Sequence, residues 1–255
     1  MSEAKSYEQE IPNGSEFQRA RELWRKKMAD DEELRNKAVE MILESNKHNF
    51  GYQWEWCGVP IIRHPDDIVL QQEIMWNLRP ARVVETGVAR GGSLVLSSSL
   101  MAMTGAQPRV LGLDIQILPH AVESLTKWTS DGSIELLECD STSNQAVANV
   151  KEFFDGVTEP CLLILDSNHS HDHVFRELMA LAPLLPVGSS VIVADTIVEE
   201  MPQGYYHNRP WGKGDNPYTA TQDFLVSHPN FEIDLRWSRR SLLGECRDGI
   251  LTRRA

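Results

Sequence analysis

The sequence has 255 residues, 41% of them hydrophobic, and a formal net charge of −12. A chain of this size can bury a full core, and its acidic balance argues against nucleic acid, because neutralising phosphates requires a basic face. No apolar run approaches membrane length and the four cysteines show no zinc spacing, so a soluble protein of the reducing cytoplasm is expected, with no membrane partner.

Residues 1–64 predict a helical arm followed by an aromatic loop, and residues 65–255 predict the main domain. The first residues, to about Gly14, are expected to be disordered, and Ser15 is expected to cap a helix that a second amphipathic helix follows. Such arms often join subunits, which favours a homo-oligomer. The aromatic loop 52–60 either anchors the arm or lines a substrate pocket, where Trp54 would face a sugar or an adenine.

From residue 82 onward, apolar runs of strand length alternate with helical patterns. The predicted strands are 82–85, 109–114, 133–138, 161–166, 190–195, 231–236 and 249–253, and the predicted helices between them are 93–103, 120–129, 144–154, 171–182 and 218–227. This alternation predicts an α/β fold with a mainly parallel seven-stranded sheet covered on both faces. The last two strands have no helix between them, which predicts an antiparallel hairpin at one edge. The long segment 197–217 is typical of a functional lid.

The first predicted strand of the sheet ends in the segment Glu85-x-Gly87-x-x-x-Gly91-Gly92-Ser93. A strand that turns into a helix through glycines places backbone N–H groups and a carboxylate at the ligand crevice of an open α/β sheet. The spacing is not the Gly-x-Gly-x-x-Gly of dinucleotide folds, and the lysine of a P-loop is missing. Because Glu85 would repel a pyrophosphate but suits an ammonium group, the segment favours an S-adenosylmethionine site.

Acidic residues also follow the ends of the other parallel strands, which converge on the same crevice. Asp114 lies where a dinucleotide fold binds ribose hydroxyls. Asp140 with Ser141 would lie within reach of an adenine amino group, although a shared helix N-cap is an alternative for this pair. Asp166 and Asp195 end neighbouring strands, and two adjacent carboxylates either raise a pKa or bind a hard cation such as magnesium.

Three histidines, His169, His171 and His173, lie shortly after Asp166. His169 is nearest the strand end and is the candidate general base, since an unperturbed imidazole suits proton removal near neutral pH. A zinc site built from His169 and His173 is the competing hypothesis, but the sequence offers no obvious third nitrogen or sulfur ligand.

Together these motifs resemble the rhamnosyl O-methyltransferase/cephalosporin hydroxylase family. The resemblance covers residues 51–255 and rests on the glycine segment, on Leu165-Asp166-Ser167-Asn168-His169-Ser170, on Leu181-Ala182-Pro183-Leu184-Leu185 and on Val191-Ile192-Val193-Ala194-Asp195. It implies a Rossmann-like class I methyltransferase fold. It also implies magnesium-assisted methylation of a hydroxyl on a rhamnose-like deoxysugar, nucleotide-linked or on a natural-product glycoside such as those of antibiotic biosynthesis.

The positions of these residues give each an expected role. The cofactor would contact Glu85 and Gly87 with its methionine part, Asp114 with its ribose, and Asp140 and Ser141 with its adenine, and Gly91 and Ser93 are further expected cofactor contacts. The metal would bind Asp166 and Asp195, and the catalytic step would use His169 and Asp166. The sugar would contact Tyr205, Tyr206 and Trp211, with Trp54 as a further candidate.

One position departs from the family pattern. Relatives usually carry an acidic pair where this chain has Ala194-Asp195, so a metal would lose one ligand. Water or substrate oxygens would fill the gap, or Asn168 would substitute as a neutral oxygen ligand. Because of this departure, a non-catalytic cofactor-binding protein is one alternative. A nicotinamide oxidoreductase on the same fold is the other.

Overall fold

The computed structural model describes residues 13–238 and 240–255. Most of the segment for which the sequence predicts disorder, residues 1–12, lies outside the described residues. The first helix, α1 (Gly14–Ala29), follows Asn13, which forms no side-chain cap hydrogen bond. The predicted cap at Ser15 is therefore wrong, because Ser15 already lies inside the helix.

The second helix of the arm, α2 (Glu32–Asn46), begins with a true side-chain cap. Asp31 accepts a hydrogen bond of 2.9 Å from the backbone N–H of Leu34. On its inner face α2 buries Val39 and Ile42 against the segment that follows the fifth parallel strand of the main sheet. The arm therefore packs on the domain close to the carboxyl ends of the strands.

The aromatic segment after the arm forms a hairpin and not a loop. Strand β1 (Trp54–Trp56) pairs antiparallel with β2 (Val59–Ile61). The side chains of Val59 and Ile61 are buried in the core of the main domain, and helix α3 (Pro65–Leu78) follows. The hairpin is thus part of the core, while the domain boundary at residue 64 remains a prediction.

The described residues form a seven-stranded main sheet with the spatial order β5-β4-β3-β6-β7-β9-β8. Its strands are β3 (Val83–Thr86), β4 (Val110–Asp114), β5 (Ile134–Glu138), β6 (Leu162–Leu165), β7 (Ser190–Val193), β8 (Phe231–Ile233) and β9 (Ile250–Arg253). Strands β3 to β7 are parallel, and β9 is antiparallel to both β7 and β8. The predicted mainly parallel sheet with an antiparallel edge pair is confirmed.

Helices cover both faces of the sheet. They are α4 (Gly92–Met103), α5 (Pro119–Ser130), α6 (Asn144–Phe153), α7 (His171–Leu181) and α8 (Pro217–Ser227). Val83 packs in the core with α3, α4 and α5, whereas Val84 packs in the second core with α6, α7 and α8. This alternation follows from the period of two in a strand and explains why both residues are apolar.

Two parallel strands end earlier than the sequence predicts. β6 ends at Leu165 and β7 at Val193, so Asp166 and Asp195 lie just beyond the sheet. Asp195 has a φ of 56°, in the left-handed region, and a 3-10 helix (Thr196–Glu200) begins immediately after it. The chain therefore turns away from the sheet at the point where these carboxylates stand. Among the described residues, no helix has the length and apolar character needed to cross a membrane.

Candidate active site

A cavity of about 680 Å³ opens at the carboxyl ends of β3, β6 and β7. This volume lies in the range of sites for small molecules. Most residues that the sequence singles out line it: Gly87, Gly91, Ser93, Asp166, Asn168, His169, Asp195, Tyr205, Tyr206 and Trp211. The structure therefore brings together the glycine segment, the segment after β6 and the lid segment in one place.

The glycine segment forms one wall because its backbone touches two neighbouring segments. Gly87 has a φ of +93°, and a Cβ there would lie 2.1 Å from the carbonyl oxygen of Asp166. A Cβ on Gly92 would lie 2.3 Å from the carbonyl oxygen of Pro60, so the start of α4 packs directly on β2. Gly91 is the N-cap residue of α4 and forms no side-chain cap, which leaves the first amide groups of the helix available to an anion.

Behind this wall lies a buried group of charged side chains. Glu85 is completely buried; its Oε1 accepts a hydrogen bond from Ser93 Oγ, and its Oε2 has no hydrogen-bond partner among the described residues. Arg63 donates from Nη2 to Asp166 Oδ2 at 3.1 Å and lies 3.7 Å from Glu85 Oε1. One guanidinium group thus stands between two carboxyl groups.

Burial changes the proton affinity of both acids. Loss of hydration raises the pKa of Glu85 from its ordinary 4.5 to about 7, although Arg63 and the hydrogen bond from Ser93 act in the opposite direction. Burial also raises the pKa of Asp166 to about 6, with Arg63 lowering it and the charge of Asp195 raising it. The site therefore holds carboxyl groups that titrate close to neutral pH.

We expect the stability of the protein to fall as the pH rises through the titration of Glu85. Between about pH 4.5 and pH 7 the folded protein retains a proton that the unfolded chain releases, so the free energy of unfolding decreases with pH in this window. Relative to Glu85→Gln, the wild type should lose about 3 kcal/mol between pH 4.5 and pH 8. Urea unfolding of both proteins between pH 4.5 and pH 8 measures this loss of stability. An exposed control, Glu152→Gln, should follow the wild type, and parallel curves for all three proteins would contradict the prediction.

Asp166 also belongs to a candidate cation site. Asp166, His169 and Asp195 each offer one ligand atom within 4.8 Å of the others. His169 Nδ1 lies 3.4 Å from Asp195 Oδ2, and the side chains of Asp195 and His169 are each 23% exposed. Oxygen donors and partial exposure suit a hard cation that keeps some of its water.

The two other residues considered for this cation site contribute differently. Ala194 lines the cavity and offers no ligand atom. Asn168 also lines it, but its Oδ1 accepts a hydrogen bond of 2.9 Å from the backbone N–H of Ser170. Its role as a metal ligand therefore stays a prediction.

The other two histidines point to different parts of the structure. His171 Nδ1 lies 2.9 Å from Thr219 Oγ1, against the next helix. His173 Nε2 lies 3.1 Å from both Ser141 Oγ and Ser167 Oγ. Of the three histidines, His169 alone lines the cavity within the described residues.

The residues predicted to bind the ribose and the adenine stand outside the cavity wall. Asp114 Oδ2 accepts hydrogen bonds from the backbone N–H groups of Val88 and Ala89, at 2.8 and 3.3 Å, and so braces the glycine segment. Asp140 is exposed and accepts two hydrogen bonds of 2.8 Å from Thr142, which lower its pKa. Their contacts with a cofactor remain predictions.

The alternative role of Asp140 and Ser141 as a helix cap is wrong. Helix α6 is capped by Ser143, whose side chain accepts a hydrogen bond from Ala146 N–H at 3.1 Å. Ser141 is buried and its hydroxyl contacts His173 instead.

Aromatic rings from the lid segment stand over His169. Tyr206 and Trp211 have ring centroids 4.5 Å apart, and Trp211 packs edge-on against His169 at 5.1 Å. Tyr205 packs on Tyr206 at 4.8 Å. Burial and the nearby charge of Asp195 raise the pKa of Tyr206, so its hydroxyl stays protonated.

The structure places Trp54 in the core and not in the cavity wall. Its ring packs edge-on against Phe50 at 5.3 Å and lies against the core of the main domain. Anchoring of the arm therefore describes Trp54 better than the predicted sugar contact. The neighbouring Tyr52, which is 64% exposed, lines the cavity instead.

Several residues of the cavity were not predicted from the sequence, among them Arg63, His64 and Glu245. His64 Nδ1 donates to the carbonyl oxygen of Leu243 at 2.8 Å. Its Nε2 has no hydrogen-bond partner in the described part of the chain and lies 3.6 Å from Glu245 Oε1. Burial, followed by the charge of Asp195, raises the pKa of Glu245 well above its ordinary range. In the sequence, the polar segment just before Asp67, at the start of α3, is the local signal that could have predicted this wall of the cavity.

Similarity to known proteins agrees with the geometry. The family described as rhamnosyl O-methyltransferase/CmcI matches residues 48–254. The chain belongs to this family. Membership confirms the resemblance that the motifs predict, and it supports an S-adenosylmethionine-dependent O-methyltransferase.

Relatives within the rhamnosyl O-methyltransferase/CmcI family are distant. A rhamnosyl O-methyltransferase of Mycobacterium tuberculosis is 28% identical over 175 residues, which cover 69% of this chain and 67% of the relative. One from Mycobacterium leprae is 26% identical over 200 residues, covering 78% and 82%.

Among solved structures, CmcI with magnesium and S-adenosylmethionine aligns with a TM-score of 0.53 and 23% identity, covering 80% of this chain and 78% of CmcI. A CmcI apo structure gives a TM-score of 0.56 and 22% identity, with 80% and 77% covered. At these identities the likeness shows the class I methyltransferase fold.

Proposed function

We propose that this chain methylates a hydroxyl group of a rhamnose-like deoxysugar, with S-adenosylmethionine as the methyl donor and a divalent cation, magnesium in the first place, as an aid. The observation that carries the proposal is the meeting of Asp166, His169 and Asp195 in a cavity whose other wall is the glycine segment. The mycobacterial relatives, which are rhamnosyl O-methyltransferases, support the sugar as acceptor.

The residues present fit the donor. Gly87 and Gly92 let the glycine segment pack directly on the backbone of Asp166 and Pro60, which brings it next to Glu85 and Arg63, and buried polar atoms of these two side chains lack partners among the described residues. An amino-acid head group carries both an ammonium and a carboxylate group, which match an acid and a guanidinium. When bound, S-adenosylmethionine supplies a methyl group that is already electrophilic, so the chain has only to align the acceptor and remove a proton.

The donor set of the cation site fits a hard cation, because Asp166 and Asp195 offer carboxylate oxygens. Ala194 adds no ligand, which magnesium tolerates since it commonly keeps several waters. Asp166 and Asp195 would hold the ion, whose charge would lower the pKa of a nearby acceptor hydroxyl, as metals do for water.

His169 is placed to accept the proton. The carboxylate of Asp195 beside Nδ1 favours the tautomer with its hydrogen on Nδ1, which leaves the lone pair of Nε2 free. Nε2 would accept the proton of the acceptor hydroxyl as the oxygen forms its bond to the methyl carbon, while the bond from that carbon to the sulfonium sulfur breaks and S-adenosylhomocysteine leaves. Trp211 packs against His169 and limits the rotation of the imidazole ring.

The acceptor side of the cavity is both aromatic and polar. Tyr206 and Trp211 offer faces suited to the apolar side of a sugar ring. Asn46 and Asn49 from the arm and Glu245 from the segment before β9 line the same space and offer hydrogen-bonding groups for hydroxyls. Closure of the lid segment over the sugar would exclude water.

Calorimetry with S-adenosylhomocysteine, with and without magnesium, tests the proposal, followed by a screen of nucleotide-linked deoxysugars and rhamnosides for methylated products. We expect saturable binding of S-adenosylhomocysteine and transfer to at least one deoxysugar that a chelator reduces. Absence of S-adenosylhomocysteine binding would refute S-adenosylmethionine as the methyl donor. Binding of S-adenosylhomocysteine without methyl transfer to any sugar would favour a non-catalytic member of the fold. Methyl transfer at a rate that a chelator leaves unchanged would refute the role of the cation.

A further inference from the structure

Arg63 is a buried cation in the wall of the cavity. It lies between β2 and α3, is 4% exposed and lines the same space as Gly87 and Ser93. Two other arginines of the described chain, Arg90 and Arg209, also line the cavity, but both are exposed. A buried guanidinium group costs free energy unless its charge and its hydrogen-bond donors are matched.

The partners of Arg63 match it only in part. Nη2 donates to Asp166 and lies close to Glu85, whereas the buried Nε has no hydrogen-bond partner among the described residues. Glu85 Oε2 is also buried without a partner. Within this group, one buried donor (Arg63 Nε) and one buried acceptor (Glu85 Oε2) thus have no hydrogen-bond partner among the described residues.

The first turn of α4 stands next to Arg63. Gly92 packs on the carbonyl oxygen of Pro60 in β2, and Arg63 follows β2 by two residues. The helix start carries no side-chain cap at Gly91. Amide groups at a helix N-terminus and a guanidinium group both bind carboxylates. They converge here on the side of the cavity formed by the glycine segment.

We propose that Arg63, together with the first turn of α4, binds the carboxylate of the amino-acid head group of S-adenosylmethionine, while the acidic side of the cluster receives its ammonium group. This inference rests on the proposed function, since it takes S-adenosylmethionine as the cofactor. Arg63 then has a role in cofactor specificity, because a ligand that carries the adenosine and the ammonium group but no carboxylate binds with lower affinity.

Calorimetry with two ligands tests this role directly. S-adenosylhomocysteine carries both charged groups, and its decarboxylated analogue keeps the ammonium group alone. We expect the wild type to bind S-adenosylhomocysteine about 10- to 100-fold more tightly than the analogue, the range for loss of charge-assisted hydrogen bonds. In Arg63→Gln this preference should fall below about threefold, because S-adenosylhomocysteine loses affinity and the analogue does not. Arg63→Lys should restore part of the preference.

Controls separate cofactor recognition from a structural role. Arg109→Gln removes an exposed arginine that pairs with Glu135 at the amino end of β4, and it should keep the full preference. Equal loss of affinity for both ligands in Arg63→Gln would show that Arg63 only positions the acids and would overturn the inference. So would equal binding of both ligands by the wild type, a comparison that needs no variant to fold. Failure of the wild type to bind either ligand would instead reject the proposed function.

Discussion

Replacing Asp195 with asparagine is expected to abolish most cation binding and most turnover. The variant removes one of the two carboxylate charges at the cation site and keeps the shape of the side chain. Loss of a residue that hydrogen-bonds to a metal ligand already lowers metal affinity about 10- to 100-fold. Loss of a ligand itself is therefore expected to lower the affinity by at least as much. Metal ions contribute several kcal/mol to such reactions, which corresponds to a rate loss of roughly 10²–10³.

Asparagine is the right substitution because of the backbone at this position. Asp195 has a φ of 56°, and asparagine adopts the left-handed region more readily than alanine. Asp195→Ala would therefore mix strain with the loss of charge. Titration of manganese, followed by electron paramagnetic resonance, measures the affinity, and methyl transfer to the sugar found in the screen measures turnover.

The control for Asp195→Asn is Asp155→Asn, which removes the same charge from an exposed turn that precedes β6 at the amino ends of the strands. It should bind manganese as the wild type does. Both variants should bind S-adenosylhomocysteine within about twofold of the wild type in the absence of a cation, because the contacts proposed for its amino-acid head group are with Arg63 and the first turn of α4 and do not include Asp195 or Asp155. Unchanged manganese binding in Asp195→Asn would locate the cation elsewhere.

Local patterns sufficed for most of the fold. Val83 and Val84 lie shortly after Pro80 and just before Glu85 and the glycine segment, and a short β-branched run with such flanking breakers predicts a buried strand. The hairpin of β1 and β2 escaped prediction since each strand has three residues and Pro60 breaks the pattern. The insertion of β9 between β7 and β8 depends on long-range pairing that periodicity does not encode.

Some residues of the site could likewise be predicted from local patterns, and others could not. Asp166, His169 and Asp195 could be predicted because each lies at or near the end of a predicted strand, and parallel strand ends converge. Arg63 escaped prediction because its partner Asp166 lies 103 residues away in the chain. Glu245 is held at the cavity by distant partners: its backbone N–H donates to Asp67, 178 residues earlier, and its carbonyl oxygen accepts from the N–H of Ile197. Contacts of this range have no local signature in a single sequence.

Replacing His169 with glutamine is expected to lower kcat by about 10²–10⁴, the usual contribution of a general base. Glutamine keeps a polar side chain beside Asp195 and Trp211, but its amide does not accept the proton of the hydroxyl. Because magnesium prefers oxygen ligands, the manganese affinity and the affinity for S-adenosylhomocysteine should stay within about threefold of the wild type. Added imidazole should restore part of the rate in the variant and leave the wild type unchanged.

The nearby His171 supplies the matched control. It lies two residues further along, contacts Thr219 and stays out of the cavity wall, so His171→Gln should retain nearly the full rate. A loss below about tenfold in His169→Gln would transfer the role of base to another group, with Asp166 as the next candidate. A fall in manganese affinity together with kcat would instead make His169 a ligand of the cation, and the proton would then leave by a different route.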